Sequence, residues 1–298
     1  MPVLDAGERR VSPIFLDDSE ARSTPTVISR GRRHKLIAFG WYDGKFSHLD
    51  WLLPLLPGNA HHYCEPFAGS AAVLLNRKPA PVETYNDIDG EIANFFEVLR
   101  GQGEELQRAL ALTPFSREEF HRAIEGSRGQ LSKFERARRF YVRARQARTG
   151  LAQTATLGRW ANCKNTSRAG MSGVVSRWVG GVEQLADIAS RLLRVQIENR
   201  PAVDVIRLYD SPETLFYCYP PYLHETRGDK KAYGYEMSDE DHGNLAAALR
   251  RSKGKVVVSG YRSNKMDQLY KGWRRFDAPA KACHSVKDLR NESVWFNF

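Results

Sequence analysis

The feature that most constrains the fold is a repeated order of short apolar strand, turn and helix. The segment HHYCEPF predicts a strand, AGS a turn and AAVLLNRK the start of a helix; VETYND and IDGEIANFFEVLRG then repeat strand and helix. Further strands are predicted at VQIEN, TLFYCY, KVVVSGY and ESVWFNF, with a helix at DEDHGNLAAALRRSKG. Strands that alternate with helices form a parallel sheet covered by helices. The predicted fold class is therefore α/β.

The middle of the chain interrupts this alternation, because helical periodicity dominates from residue 113 to about residue 200. The segment LSKFERARRFYVRARQARTG gathers apolar residues on one helix face and places arginines on the other. A turn-rich stretch, TATLGRWANCKNTSRAGMSG, follows and is a poor candidate for a packed core. We interpret it as a loop that contacts a ligand. The basic candidates for contact with such a ligand are Arg136, Arg139 and Arg143 of the helix and Arg159, Lys164 and Arg168 of the loop.

The excess of positive charge is concentrated in the same region. The chain has 45 Lys and Arg residues against 35 Asp and Glu, and residues 131–200 hold 14 of the basic residues against four acidic ones. The rest of the chain is neutral. A local field of this size favours a polyanion such as nucleic acid, whose phosphates give sequence-independent affinity. A solvated helix face explains a short charge run equally well, so charge alone leaves both interpretations open.

Composition excludes several other classes of protein. A chain of 298 residues with 42% hydrophobic content builds a core, so disorder and fibrous architecture are not expected. Cys64, Cys163, Cys218 and Cys283 lie far apart without a CxxC pair, which favours buried reduced thiols over disulfides or a zinc site. No long apolar run or signal peptide is evident. We therefore expect a soluble cytoplasmic protein that binds neither metal nor membrane.

Three turns that follow predicted strands carry residues suited to ligand binding. Gly69, in Glu65-Pro66-Phe67-Ala68-Gly69-Ser70, lets a ligand approach the backbone at a helix start. Asp87, in NDID, can accept hydrogen bonds from ribose hydroxyls. The third turn is Tyr219-Pro220-Pro221-Tyr222. Ligands of open α/β sheets bind at such strand ends. Taken singly, the first turn also fits a structural turn, and the second fits a helix N-cap.

Together and in this order, the motifs resemble those of the Dam-like N6-adenine-specific DNA methyltransferases of the alpha motif order. GWYDGK is similar to the family's KWAGGK element, with Trp41 and Lys45 in matching places, and EPFAGSAAVL is similar to EPFxGxGxV. NDID resembles the family's ribose-binding turn, and YPPY stands where the family has (D/N/S)PPY. The resemblance covers nearly all of the chain from Leu36 to Phe298. It implies a Rossmann-like sheet with a helical target-recognition insertion.

The resemblance also implies a methyl donor, a substrate and a set of site residues. The donor is S-adenosylmethionine and the substrate is an adenine flipped out of double-stranded DNA. In the family, the first motif residue and the following proline carbonyl accept hydrogen bonds from the adenine amino group, and the last tyrosine, here Tyr222, stacks on the base. The implied catalytic residues are Tyr219, Pro220, Pro221 and Tyr222. The implied cofactor-binding residues are Trp41, Gly44, Lys45, Glu65, Phe67, Gly69, Asp87 and Tyr219.

The chain departs from the family at the first position of this motif, where Tyr219 replaces Asp, Asn or Ser. A phenol is ordinarily neutral near pH 7, carries its own proton and is larger than a carboxylate. We expect a rate penalty of roughly 10² to 10⁴ from this change. Three explanations stay open: a substitution introduced to trap a complex, a natural loss of activity, or altered chemistry with a modified donor or acceptor.

The sequence thus predicts a site-specific DNA adenine-N6 methyltransferase with an impaired catalytic motif, either an orphan enzyme or part of a restriction-modification system, associated with the nucleoid. The predicted parts are an extension at 1–35, cofactor-binding and catalytic parts at 36–104 and 200–298, and the target-recognition insertion at 105–199. One alternative is a non-catalytic DNA-binding protein that keeps the fold. Another is a methyltransferase with an altered donor or an RNA or small-molecule acceptor.

Overall fold

The structure covers most of the chain from Lys35 onwards. The computed structural model describes residues 35–41, 44–125, 128–148, 152–226, 234–279, 281–282, 289–290 and 292–298, and they belong to a unit that runs from Lys35 to Phe298. The predicted extension lies almost wholly outside the described residues. So do Tyr42 and Asp43 of the GWYDGK element, and Cys283.

The helices and strands alternate along much of the chain. The helices are α1 (Leu49–Leu52), α2 (Ala72–Asn76), α3 (Gly90–Gly101), α4 (Gly103–Ala111), α5 (Arg117–Ile124), α6 (Lys133–Gln146), α7 (Gly173–Glu183), α8 (Leu185–Leu192), α9 (Ala202–Tyr209), α10 (Asp239–Arg251) and α11 (Asn264–Leu269). The strands are β1 (His62–Glu65), β2 (Val82–Asn86), β3 (Ser167–Arg168), β4 (Met171–Ser172), β5 (Val195–Glu198), β6 (Thr214–Cys218), β7 (Lys255–Tyr261), β8 (Arg274–Asp277), β9 (Lys281–Ala282), β10 (Leu289–Arg290) and β11 (Glu292–Phe296).

The described strands form a seven-stranded sheet in the order β5-β2-β1-β6-β7-β11-β8. The first five strands of that order are parallel to one another, and β11 runs antiparallel between β7 and β8. The pairs β3–β4 and β9–β10 are separate short ladders. This architecture confirms the predicted α/β, Rossmann-like fold.

The sheet is buried on both faces, as its strand composition predicts. On β6, Leu215 and Tyr217 point into one apolar cluster and Phe216 and Cys218 into the other. Residues of α3, α6 and α8 cover the first face, and residues of α9, α10 and α11 cover the second. Successive side chains of a strand point to opposite faces, so continuous apolar runs follow from a sheet enclosed between helices.

The middle of the chain is helical, as its periodicity predicts. Ser132 caps α6 by accepting a hydrogen bond from the Glu135 backbone N–H, and the apolar face of α6 packs on α3. The rings of Phe95 and Tyr141 stack there with centroids 5.6 Å apart. These helices therefore share the main core of the molecule. The assignment of residues 105–199 to target recognition stays a prediction.

Two of the cysteines lie where the sequence predicts them. Cys64 and Cys218 are free and buried, whereas Cys163 is half-buried. The expectation of burial is wrong for Cys163 because it lies in a surface turn, where its thiol and the Thr166 backbone exchange hydrogen bonds. No helix of the described residues is long and apolar enough to cross a bilayer. Nor do His, Cys, Asp and Glu side chains within the described ranges form a group of three or more that could hold a metal ion.

Candidate functional site: a cleft at the carboxyl ends of three strands

The fold brings the three predicted ligand-binding turns to one edge of the sheet. Strand β1 lies between β2 and β6 and is parallel and in register with both, Cys64 opposite Thr84 and Phe216. The chain leaves β1 towards β2 on one side and later returns to β6 on the other. Strand order therefore reverses at β1, and a crevice opens outside the carboxyl ends of strands at such a point.

A cleft of about 520 Å³, counted out to its open mouth, occupies this crevice. The lining includes residues from each of the three turns and from the segments that cover them: Trp41, Pro66, Phe67, Gly69, Asp87, Ile88, Gln153, Ala202, Tyr219, Pro221 and Tyr235. The turns that the sequence singles out thus meet at one concave surface.

Gly69 joins the first turn to the second. Its φ of +50° is a left-handed conformation, and a Cβ at this position would lie 2.9 Å from the Trp41 indole nitrogen. The Gly69 N–H donates to Asp87 Oδ2 over 2.9 Å, and the Tyr85 hydroxyl donates to the Gly69 carbonyl over 2.9 Å. A glycine is therefore required both by the backbone conformation and by the close approach of the indole.

Ala71 departs from the family pattern two residues later. It stands at the second glycine of EPFxGxGxV and adopts a left-handed φ of +57° directly before α2. Such a conformation is disfavoured for a residue with a Cβ. The chain thus keeps the backbone path of the glycine-rich turn with an alanine in a strained position.

The acidic turn after β2 places its two carboxylates in different surroundings. Asp89 is the N-cap of α3 and accepts a hydrogen bond from the Glu91 N–H over 2.9 Å. Asp87 lines the cleft instead. Burial raises the pKa of Asp87 to about 6, against the opposing effect of hydrogen bonds from the Asp89 and Gly69 N–H groups.

Asn86 is a structural residue of this turn that the sequence analysis missed. Its buried amide donates to the Pro66 and Arg200 carbonyls over 2.8 and 3.0 Å, and its Oδ1 accepts from the Arg200 N–H over 2.9 Å. These bonds tie the ends of β1, β2 and β5 together. The signal for this role is the polar side chain at the end of an otherwise apolar buried strand, directly before Asp87.

The predicted cofactor residues Gly44, Lys45 and Glu65 do not line the open cleft and surround an adjoining recess instead. Gly44 closes a turn by donating its N–H to the Trp41 carbonyl over 3.0 Å. Burial raises the pKa of Glu65 to about 8, opposed by the 2.6 Å hydrogen bond that it accepts from Tyr63. Lys45 is 2% exposed and forms an ion pair with Glu292 over 2.7 Å. Contact of these three residues with a cofactor stays a prediction.

Some residues of the YPPY turn line the cleft and the others lie in the interior. Tyr219 and Pro221 line the cleft, whereas Pro220 and Tyr222 are buried. Tyr222 is 3% exposed, and its hydroxyl donates to Glu292 Oε2 over 2.6 Å. Neighbouring side chains cover the Tyr222 ring in this structure, and the stacking role that the resemblance implies for it stays a prediction. The aromatic ring of this motif on the cleft surface is that of Tyr219.

Three arginines of α6 have bonding partners within the protein. Arg136 forms an ion pair with Glu91, Arg139 forms one with Glu135 over 2.8 Å, and Arg143 donates to the Ala123 carbonyl over 2.7 Å. Arg143 is only 3% exposed. This geometry gives the three guanidinium groups structural partners, and contact of their helix face with DNA stays a prediction. Periodicity identifies the polar face of a helix but not the acidic side chains packed against it.

The turn-rich stretch is more accessible. Lys164 and Arg168 are exposed and Arg159 is half-exposed. Arg168 lies on β3, next to a tight turn whose residues Ala169 and Gly170 have φ values of +52° and +74°. This hairpin presents Arg168 to solvent. The predicted ligand-contacting loop is therefore an exposed basic surface of the middle region, and contact with DNA stays a prediction.

Two residues outside the quoted motifs cover the cleft. Gln153 donates to Asp89 Oδ2 and accepts the Gly234 N–H over 3.0 Å, and Tyr235 lines the cleft beside it. No local sequence signal identifies Gln153, because its partners are 64 and 81 positions away in the chain.

Comparison with known proteins gives a family match and a distant structural likeness. A family model described as D12 class N6 adenine-specific DNA methyltransferase matches residues 41–291. A search of curated proteins finds no match. Among solved structures, an rRNA methyltransferase, aviRa from Streptomyces viridochromogenes, is similar at 15% identity and a TM-score of 0.31, over 83% of this chain and 80% of that one. That likeness is too distant to bear on substrate. Because the family model spans most of the chain, the protein belongs to the D12 class N6 adenine-specific DNA methyltransferase family.

Proposed function

We propose that this protein is a site-specific DNA adenine-N6 methyltransferase that uses S-adenosylmethionine, and that Tyr219 slows its transfer step. The observation that carries the proposal is the convergence of Gly69, Asp87 and Tyr219 on one cleft at the switch point of the sheet. A scaffold needs no such convergence. A site for a nucleoside that carries an activated methyl group needs it, because the protein must hold both the ribose and the reactive end of the nucleoside.

The residues of the cleft fit such a nucleoside. Asp87 offers a carboxylate oxygen to ribose hydroxyls, and the absent Cβ of Gly69 leaves room for Trp41 to pack against the turn. Phe67, Ile88 and Ala202 give the cleft apolar walls. We assign these residues, with Trp41, to the cofactor. When bound, S-adenosylmethionine supplies an electrophilic methyl group on a sulfonium ion.

The protein's own task at the reactive end is to accept the amino hydrogens of adenine. The adenine amino lone pair is delocalised into the ring, so acceptors that face the amino group favour the pyramidal, nucleophilic form. Proline has no N–H, which leaves the Pro220 carbonyl as an acceptor without a competing donor at that residue. Tyr219 offers a phenol in place of a carboxylate. A neutral phenol accepts a hydrogen bond weakly, which is the basis for the proposed loss of rate.

Duplex DNA is the proposed macromolecular substrate, with Arg159, Lys164 and Arg168 as its contacts. Their region carries the chain's excess positive charge, and two of the three side chains are exposed. Arg136, Arg139 and Arg143 are left out because they are bound within the protein. A chromosomal substrate would place the protein on the nucleoid in the cytoplasm.

The test is transfer of labelled methyl groups from S-adenosylmethionine to mixed-sequence duplex DNA, followed by digestion to nucleosides. We expect N6-methyladenine from the Tyr219→Asp variant and a much lower yield from the unaltered chain. Transfer to another base, or to RNA in preference to DNA at fixed salt, would contradict the proposed substrate.

A second candidate is a DNA-binding protein without transferase activity. The observation that favours it is the packing of Tyr219 and Tyr222 against each other, with centroids 5.4 Å apart, at the position where the reaction needs a small acceptor. If Tyr219→Asp binds both S-adenosylmethionine and DNA but transfers no methyl group, this second function is the correct one.

A further inference from the structure

The last strand of the sheet contributes a buried carboxylate to the site. Glu292 is the first residue of β11, pairs in register with Tyr261 of β7 and is 4% exposed. Its Oε1 accepts hydrogen bonds from Lys45 Nζ and the Ser259 hydroxyl, each over 2.7 Å. Its Oε2 accepts one from the Tyr222 hydroxyl over 2.6 Å. No motif of the sequence analysis gives this residue a role.

The partners of Glu292 come from both halves of the proposed site. Lys45 belongs to the element assigned to the cofactor, and Tyr222 ends the motif assigned to the target base. The Lys45 ammonium also donates directly to the Tyr222 hydroxyl. These segments are 177 positions apart in the chain, and Glu292 lies a further 70 positions on. A single carboxylate thus joins the cofactor side to the base side.

The ammonium held by Glu292 in turn packs against the aromatic rings of the motif. Lys45 Nζ lies 3.8 Å from the centroid of the Tyr219 ring and 5.0 Å from that of Tyr222. A cation over a ring face at this range is attracted to it, and more strongly where water is excluded. The position of the Tyr219 ring on the cleft surface therefore depends on where Glu292 places the Lys45 ammonium.

The charges in this cluster depend on each other. Lys45 and Glu292 are both almost fully buried, and a buried ion left without its partner is strongly unfavourable. Hydrogen bonds to an ionised group are shorter and stronger than neutral ones, and two of the Glu292 bonds come from neutral hydroxyls that it orients. Replacing the carboxylate by an amide of the same shape removes the charge and leaves the packing volume unchanged.

We propose that Glu292 is a positioning residue of the methyl-transfer site: it holds Lys45 against Tyr219 and fixes the Tyr222 hydroxyl, so that the YPPY turn keeps one arrangement. The proposal rests on the proposed function for its consequence on turnover. The contact of Glu292 with the two groups does not depend on that function.

The first experiment needs no activity. Lysine acetylation and tyrosine nitration, read residue by residue by mass spectrometry on the full chain, report whether Lys45 and Tyr222 are protected. We expect both residues to react slowly in the unaltered protein and in Ser259→Ala, which removes one hydrogen bond but neither charge. Both should react at least about tenfold faster in Glu292→Gln, because the native arrangement is no longer held by charge. Unchanged protection in Glu292→Gln overturns the proposal.

A matched control is Glu83→Gln. Glu83 is another buried glutamate, bound to Arg191 over 2.6 Å, and it does not line the cleft. The Glu83→Gln variant should have lower thermal stability, while Lys45 and Tyr222 stay protected from modification. If Glu83→Gln exposes these two residues as much as Glu292→Gln does, the effect is general destabilisation and the positioning role is wrong.

The second experiment separates binding from turnover. In the unaltered chain, Glu292→Gln should lower kcat by about 10²-fold, the scale of an ångström-sized misplacement. If only Tyr219→Asp turns over, the loss is measured in that background, where it reports on the Tyr222 hydroxyl alone because the Tyr219 ring is absent. The KM for S-adenosylmethionine should move by less than about threefold, since the lost interaction orients groups for transfer. Glu292→Asp should recover part of kcat. A raised KM with kcat unchanged contradicts the proposal.

The two proposals fail in different ways. If no variant transfers a methyl group to DNA, the proposed function is wrong, and the protection experiment alone decides whether Glu292 positions Lys45 and Tyr222. If transfer occurs and Glu292→Gln changes neither protection nor kcat, the proposed function stands and the role of Glu292 is wrong.

Discussion

The turns after β1 and β2 differ from the turn after β6, although all three lie on one edge of the sheet. The first two turns are joined by the hydrogen bond from the Gly69 N–H to Asp87, and the Asp87 side chain lines the cleft. In the third, the ring of Tyr219 lies against Tyr222 and a buried ammonium. Under the proposed function the first two turns hold the cofactor and the third faces the acceptor base, so the two tasks depend on different contacts. Binding and transfer should therefore respond to different mutations.

The largest effect that separates the two halves is expected from Tyr219→Asp. A carboxylate restores a strong acceptor for the adenine amino group, so the transfer rate should rise by roughly 10² to 10⁴. The measurement is single-turnover transfer of labelled methyl groups to duplex DNA. Tyr219→Phe is the matched control, because it keeps the ring and removes the hydroxyl, and it should stay at or below the rate of the unaltered chain. Equal rates for Tyr219→Asp and the unaltered chain would refute the role assigned to Tyr219.

Gly69→Ala should weaken cofactor binding, which is the role proposed for the first two turns. The added Cβ meets the Trp41 indole 2.9 Å away, and the left-handed backbone costs an L-residue about 1–2 kcal/mol. Displacement of Trp41 by this strain should weaken S-adenosylmethionine binding by about 5- to 30-fold in calorimetry. Gly58→Ala is the control, since a Cβ there meets no atom within 4 Å. Affinity that is the same in both variants would show that Trp41 and Gly69 do not form the cofactor surface.

Asp87 should make cofactor binding depend on pH. Its pKa is raised to about 6, so the carboxyl is mostly protonated at pH 5 and mostly ionised at pH 7. Ribose hydroxyls donate to the ionised form, and affinity for S-adenosylmethionine should therefore rise about tenfold over that interval. The contribution of Asp87 to folding has the opposite sign: a raised pKa favours the folded state below about pH 4, and that stability is lost as the pH rises through about 6. Calorimetry on Asp87→Asn should give a flatter pH profile, and an unchanged profile would contradict the assignment.

A smaller effect should distinguish the two groups of basic residues in the middle of the chain. Lys164→Ala and Arg168→Ala should each weaken duplex DNA binding a few-fold and lower the slope of log affinity against log salt by about 1. Arg139→Ala should leave that slope unchanged and lower thermal stability, because its guanidinium bonds Glu135 and the Arg122 and Glu125 carbonyls. If Arg139→Ala changed the slope of log affinity against log salt and Arg168→Ala did not, our assignment of the two groups would be reversed.

The sheet, and the edge of it at which the three turns lie, can be predicted from the sequence because both follow from local sequence patterns. The run VETYN in β2 and the turn before α3 are set by strand propensity and by capping at Asp89, and each can be read within a few residues. The order of strand, turn and helix then limits where the turns can meet. For this reason the local patterns alone suffice to place Gly69, Asp87 and Tyr219 at one edge of the sheet.

The features that local patterns do not reveal are long-range polar contacts. Glu292 reads as an acidic residue before an apolar strand, and nothing nearby in the chain shows that its partners are Lys45 and Tyr222. The sequence pattern predicts a solvated face for the arginines of α6, because Glu91, which binds Arg136, belongs to another helix. The burial of Tyr222 escapes prediction for the same reason, since burial of a ring depends on side chains from distant segments.

The most direct test of the central claim is a crystal structure of the full chain with S-adenosylmethionine. The account predicts density for the nucleoside in the cleft, with its ribose hydroxyls on the Asp87 carboxylate and its sulfonium beside Tyr219. A bound nucleoside at any other place, or a cleft that stays empty at saturating concentration, would contradict it.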